Sequence, residues 1–188
     1  MSQVDQLWVL ICAALVFMMQ AGFMCIEAGI TRTKNNISVA IKNISDFSLS
    51  ILIFWMLGYG LMFGDSLGGM LGTSNFAFNE LSGSDAYIHF LFQAMFCGTA
   101  ATIISGAVAE RCTFHGYLMI TALTATLIYP IFGHWAWSVD PANDPAGWLG
   151  ALGYYDFAGS GDVHAVGGGV ALAAVLVLGR RDGRLLNA

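Results

Sequence analysis

Five long apolar stretches separated by polar, glycine-bearing gaps set the pattern of this chain. A helix needs about 20 predominantly apolar residues to cross a hydrocarbon core of about 30 Å. Leu7 to Ala28 meets that length, broken only near its end by Glu27. Phe47 to Phe63 forms the core of a second stretch, which reaches back to Ile37 if one helix passes Asn43 and Asp46. Phe90 to Ala109, Gly116 to Trp137 and Phe157 to Leu178 complete the set. The pattern predicts an all-α polytopic membrane protein with five transmembrane helices, at 7–28, 47–63, 90–109, 116–137 and 157–178.

Charge sharpens that picture. The seven basic residues occupy three alternate gaps: Arg32, Lys34 and Lys42; Arg111; and Arg180, Arg181 and Arg184. Gly64 to Ile88 and Ser138 to Asp162 hold acids but no Lys or Arg. Alternating basic loops are what the positive-inside rule requires of a multiply threaded chain. They predict a multi-pass protein of the cell membrane, with its N-terminus outside and residue 188 inside. A secretory signal needs a basic n-region, and Asp5 is the only charge before the first stretch, so that stretch reads as a retained span. Trp8, Trp135, Trp137 and Trp148 lie near the proposed outer ends, where indoles favour the interface; Trp55 sits mid-span.

Composition excludes other classes. Only 10% of residues are charged and 57% are apolar, against roughly 25% charged in soluble domains. No basic stripe suits a nucleic acid. The four cysteines lack CxxC spacing and read as free thiols used in packing. Gly60, Gly64 and Gly68 repeat every four residues, although the last two fall near a helix end. Ala165, Gly169 and Ala173 repeat likewise in the fifth span. Small residues at that spacing let helix backbones approach in lipid, which predicts a fifth span buried at the centre of a bundle.

Chemistry gathers in a few places. Asp156 to His164 runs straight into the fifth apolar stretch. A histidine there is a functional candidate, or an interfacial residue held by a backbone carbonyl. Asp156 is either part of a site or a cap for the following helix. Phe92 and Phe96 share a helix face, as core packing or as a ring pair. Trp137 is a belt residue or a cation-binding indole. Asp162 and His164, two apart, point in different directions, and no metal or cofactor motif is present.

Together these motifs resemble the ammonium transporter family (Amt/Mep/Rh), closely its Amt branch. The matches run in order: Met19 to Phe23 with Glu27-Ala28-Gly29, Lys34-Asn35, Lys42-Asn43, Asp46-Phe47, Phe54-Trp55 and Gly58-Tyr59. Phe92 to Phe96, Ala109-Glu110-Arg111, Gly133 to Trp137, and Asp156 to His164 with Val166-Gly167-Gly168 come next. The resemblance implies the first half of an eleven-helix inverted-repeat ammonium transporter fold, assembled as a homotrimer in the intact protein. By that likeness Phe96 and Trp137 would recruit NH4+ at an outer site, and Phe92 and Phe96 would form a stacked phenyl gate. Asp156 would stabilise the outer site, and His164 would be one of two lumen histidines passing NH3 with proton relay. The implied partners are ammonium/ammonia, membrane lipid and a PII-type regulator on the cytoplasmic face, with no nucleic acid and no enzymatic chemistry.

Two departures stand out. Asp162 occupies a position that is usually apolar in the family; it either biases His164 and attracts cations or is a tolerated surface acid. The chain also reaches Ala188 after five spans, so it reads as a partial chain whose function needs the other half. An ammonium-sensing membrane module of a signalling protein is the alternative reading.

Overall fold

The computed structural model describes residues 1–79, 81–140 and 142–181. Five helices in it are long and apolar enough to cross a membrane: α1 (Gln3–Ile30), α2 (Thr33–Phe63), α3 (Ser84–Val108), α4 (Phe114–Trp137) and, after a short α5 (Trp148–Ala151), α6 (Ser160–Leu178). They cover the five predicted stretches, and the differences lie at their ends. α1 starts at a capping box in which the Ser2 hydroxyl accepts from Asp5 N–H and the Asp5 carboxylate accepts from Ser2 N–H, at 3.2 and 3.0 Å. α2 does extend past Asn43 and Asp46, because both side chains are paired inside the protein. α6 starts later than predicted, at Ser160, since Asp156 to Gly159 form its cap.

α3 is the central helix, packed against α1, α2 and α6. Gly98 lies where a side chain has no room: a Cβ there would stand 2.5 Å from the Phe47 ring. Thr99, Ala100, Ala101 and Thr102 are fully buried. α1 is the least buried of the five helices, and α6 packs on one side only. Its contact with α3 runs through Gly167 and Ala171, whereas Ala165, Gly169 and Ala173 are exposed and line an open apolar groove of about 570 Å³ beside α4. A Cβ on Gly167 would lie 2.9 Å from the Ala100 carbonyl oxygen, so the small residue sets that approach.

Wide π-type turns interrupt α2 at Phe54–Gly58 and α4 at Thr124–Ile128, and another opens α6 at Ser160–Ala165. In α4 the interruption precedes Pro130, which has no N–H to offer the Thr126 carbonyl. The first two turns meet at Gly58, whose absent Cβ would stand 2.7 Å from the Ala125 oxygen. Gly64 and Gly68 fall outside the helix: Gly64 follows its last residue, and Gly68 turns a two-stranded hairpin. Its strands, β1 (Ser66–Leu67) and β2 (Leu71–Gly72), are antiparallel, with Ser66 opposite Gly72. His134 ties α4 to this hairpin, its Nδ1 2.9 Å from Met62 O and its Nε2 2.8 Å from Ser66 Oγ.

Polar side chains join the helices from within. Buried Glu27 accepts hydrogen bonds from Asn43 (3.0 Å) and Ser105 (2.7 Å), while Lys42 stands 3.9 Å from it and donates to Ser105 O. Tyr117 donates to buried Asp46, and Gln20 bonds both Thr99 and Thr102. These bonds link α1, α2, α3 and α4 where lipid provides no hydrophobic drive. At the same end, Glu110 accepts from Arg32 Nε (2.9 Å), Arg32 N–H (3.0 Å) and Asn35 (2.6 Å), and Arg181 lies 3.8 Å from it. Residues from the first and last basic gaps therefore meet around one acid supplied by the second, which puts the three gaps on one face of the protein.

Candidate substrate cavity

The opposite end holds a cavity of about 630 Å³ whose walls come from four helices and one loop. α1 supplies Trp8, Val9 and Cys12; α2 supplies Phe63; α3 supplies His89, Phe92, Gln93 and Phe96; α4 ends in it at Trp137. Tyr155 to Ala158 close the remaining side. Four of the five residues singled out from the sequence, Phe92, Phe96, Trp137 and Asp156, thus share one space.

Helix spacing arranges the aromatic wall. Phe92 and Phe96 lie one turn apart on α3, with ring centroids 4.9 Å apart and an interplanar angle of 80°. The rings meet edge to face, an arrangement their quadrupoles favour. Phe96 continues to Trp137 at 6.1 Å, again steeply inclined. The indole is fixed by a 2.7 Å hydrogen bond from its Nε1 to the Asp156 carbonyl oxygen.

Asp156 itself caps α6. Each carboxylate oxygen accepts two backbone N–H groups, Oδ1 from Gly159 and Ser160 at 2.9 Å and Oδ2 from Gly161 and Asp162 at 2.8 Å. Gly159 makes this reversal possible with a φ of +85°. Partial burial pushes the Asp156 carboxyl up, but the four N–H donors outweigh it and hold the group below the usual carboxylate range. The carboxylate so engaged places its charge beside the cavity while its carbonyl orients Trp137. The capping and site readings of Asp156 are compatible.

His164 stands apart. It is exposed, does not line this cavity, and has Nδ1 3.0 Å from the Gly159 carbonyl oxygen. His134 is engaged elsewhere by Met62 and Ser66, and His115 is exposed at the start of α4. Asp162, two residues before His164, is fully buried and is no surface acid.

Sequence reasoning missed His89, Tyr59 and Gln93. His89 Nδ1 lies 2.9 Å from the Tyr59 hydroxyl, and its ring meets Phe63 edge to face at 4.7 Å. Gln93 Oε1 is buried without a partner at the cavity wall. Positions 89, 92, 93 and 96 share one helical face, so the spacing that exposed the phenylalanine pair also carried this signal.

The cavity can receive a small cation. It offers aromatic faces that attract positive charge, an anchored carboxylate nearby and an apolar surround.

The chain is similar to known proteins. The profile of the Ammonium Transporter Family matches residues 7–187. A putative ammonium transporter of Synechocystis sp. is 53% identical over 98% of this chain and 35% of its own length. Amt2, an ammonium transporter of Archaeoglobus fulgidus, is 44% identical over 96% of this chain and 40% of its own. Among solved structures, a sensor Amt protein superposes with a TM-score of 0.89 at 44% identity, over 94% of this chain and 44% of that one. Candida albicans Mep2 gives a TM-score of 0.84 at 28% identity, over 96% of this chain and 40% of its own. The chain therefore spans about two fifths of the length of the relatives it matches.

Proposed function

This chain belongs to the ammonium transporter family, and from that premise we propose that the intact protein carries ammonium across the cell membrane. The observation that carries the proposal is the cavity in which Phe92, Phe96 and Trp137 converge beside the capped Asp156 carboxylate. Moving a bare ammonium-sized ion into low dielectric has an idealised cost of order 20 kcal/mol. Aromatic faces restore about 0.5–2 kcal/mol per contact, enough to recruit the ion at the mouth and too little to carry it through. Passage through an apolar section then requires that NH4+ leave its proton, so that NH3 crosses. An imidazole such as His164 suits the relay, because histidine changes protonation near neutral pH. His164 is exposed in this chain, so its lumen role calls for further helices closing over it. Potassium has no proton to shed and is rejected.

The basic gaps that meet around Glu110 support a cytoplasmic placement of that face, with the cavity outside. Homotrimeric assembly and a PII-type regulator on the basic face belong to the same proposal. Ammonium sensing is a second reading, favoured by the likeness to a sensor Amt protein. A sensor would share the recruitment cavity and differ in the domain attached beyond its last span.

Labelled methylammonium uptake by cells that lack their own ammonium carriers, expressing the full-length gene, tests the proposal. Saturable uptake that ammonium inhibits and excess potassium does not is the expected result. Uptake equal to the empty vector would overturn transport, and ammonium binding without uptake would favour sensing.

A further inference from the structure

Asp162 stands in the first turn of α6, fully buried, and neither carboxyl oxygen has a hydrogen-bond partner. Its N–H is already taken by Asp156, at 2.8 Å. A Cβ on Gly133 of α4 would lie 3.1 Å from Asp162 Oδ2, and the Met62 side chain of α2 fills the rest of that gap. The titratable groups near enough to feel the Asp162 charge are Cys97 on α3, Tyr129 on α4, and Tyr154 and Asp156 on the segment before α6. The Tyr129 hydroxyl is itself buried without a partner. None of these groups is cationic, and Asp156 is a second acid.

An ionised carboxylate in such a place must be compensated, by a basic side chain, a bound cation or a proton. The ion pairs of the described residues lie elsewhere, at the first turns of α1 and α3 and around Glu27 and Glu110. An alkali cation must exchange its hydration shell for protein oxygens. Here Oδ2 faces the Gly133 methylene and the Met62 thioether, and the Cys97 thiol and the Tyr129 and Tyr154 hydroxyls lie within reach of its charge. The Asp156 carboxylate oxygens are already engaged by four backbone N–H groups. A proton needs no cage. We propose that Asp162 is a proton-binding site, its side chain held within the membrane as a neutral carboxylic acid between α3, α4 and α6. The inference rests on burial and surroundings and does not depend on the transport reading. Under that reading, it adds a second proton-holding group to the helix that carries His164.

Infrared spectroscopy of the full-length protein in lipid, in water and in deuterium oxide, tests this. Wild type is expected to show a carboxylic-acid carbonyl band that shifts on deuteration and is missing from D162N. Asparagine mimics the neutral acid, so D162N is expected to keep its helical content and melting temperature. If D162N does not fold, D162E is expected to move the same band. A wild-type spectrum unchanged by either substitution in the acid-carbonyl region would overturn the proposal. So would a melting temperature raised by sodium or potassium chloride in wild type but not in D162N, which would assign a metal cation instead.

Discussion

Trp137 connects two functions in one side chain: its ring closes the aromatic wall, and its Nε1 holds the Asp156 carbonyl. Replacing it with leucine removes a cation-attracting face worth about 0.5–2 kcal/mol, or roughly 2- to 30-fold in affinity. The KM for methylammonium is expected to rise by that factor in Trp137→Leu, measured by uptake in the full-length protein; an unchanged KM would remove Trp137 from the site. Asp156 gives a pH prediction. Its folded carboxyl lies below its ordinary value, so its contribution is complete above that value and is lost as pH falls through the depressed one. Trp137 fluorescence in wild type is therefore expected to change on acidification below about pH 4, and Asp156→Asn to show the altered emission already at neutral pH. Much of this wall was legible, because a four-residue spacing on a helix fixes which rings meet. The burial of Asp162 was not, since an offset of two from His164 separates their faces without saying which one packs against α3 and α4.

Elements in this chain are set by close approach of backbones at glycine. At Gly58 an added Cβ would meet a carbonyl oxygen at 2.7 Å, where only separation of α2 from α4 gives relief. Gly58→Ala is expected to destabilise the bundle by about 1–3 kcal/mol, and Gly167→Val to do the same at the α3–α6 contact. Thermal melting in detergent checks both, with an exposed position such as Gly168→Ala as the unaffected control. Hydropathy identified every span, because lipid demands long apolar helices and leaves little room for alternatives. Their ends were less legible: Asn43 and Asp46 look like loop residues until Glu27 and Tyr117 are seen to pair with them. Small residues repeat on two sides of α6, Gly167 with Ala171 as well as Ala165 with Gly169 and Ala173, and spacing alone does not say which side packs within these five helices. Only the former meets α3.

At the scale of the whole molecule, one end is a charged clamp and the other an aromatic cavity. Glu110 holds the clamp from a strained position, with φ at +64°, and its carboxyl is pulled down to about 2. Burial alone would raise it; the hydrogen bonds from Arg32 and Asn35 outweigh that. Its contribution is present above the ordinary 4.5 and is lost as pH falls toward 2. Glu110→Gln is therefore expected to loosen the loops around Arg32 at neutral pH, seen as faster amide hydrogen exchange there, with the cavity end unaffected. The open groove beside Ala165 and Gly169 and the exposed His164 both lie on faces that the described residues leave uncovered. That fits a chain spanning about two fifths of its relatives' length. The central claim is that ammonium is bound by the aromatic cavity and gives up its proton on the His164 side. Methylammonium uptake and potassium competition in full-length Trp137→Leu and His164→Ala test it most directly. A raised KM with retained selectivity is expected in the first, and an altered rate or lost exclusion of potassium in the second; unchanged uptake and selectivity in both would contradict it.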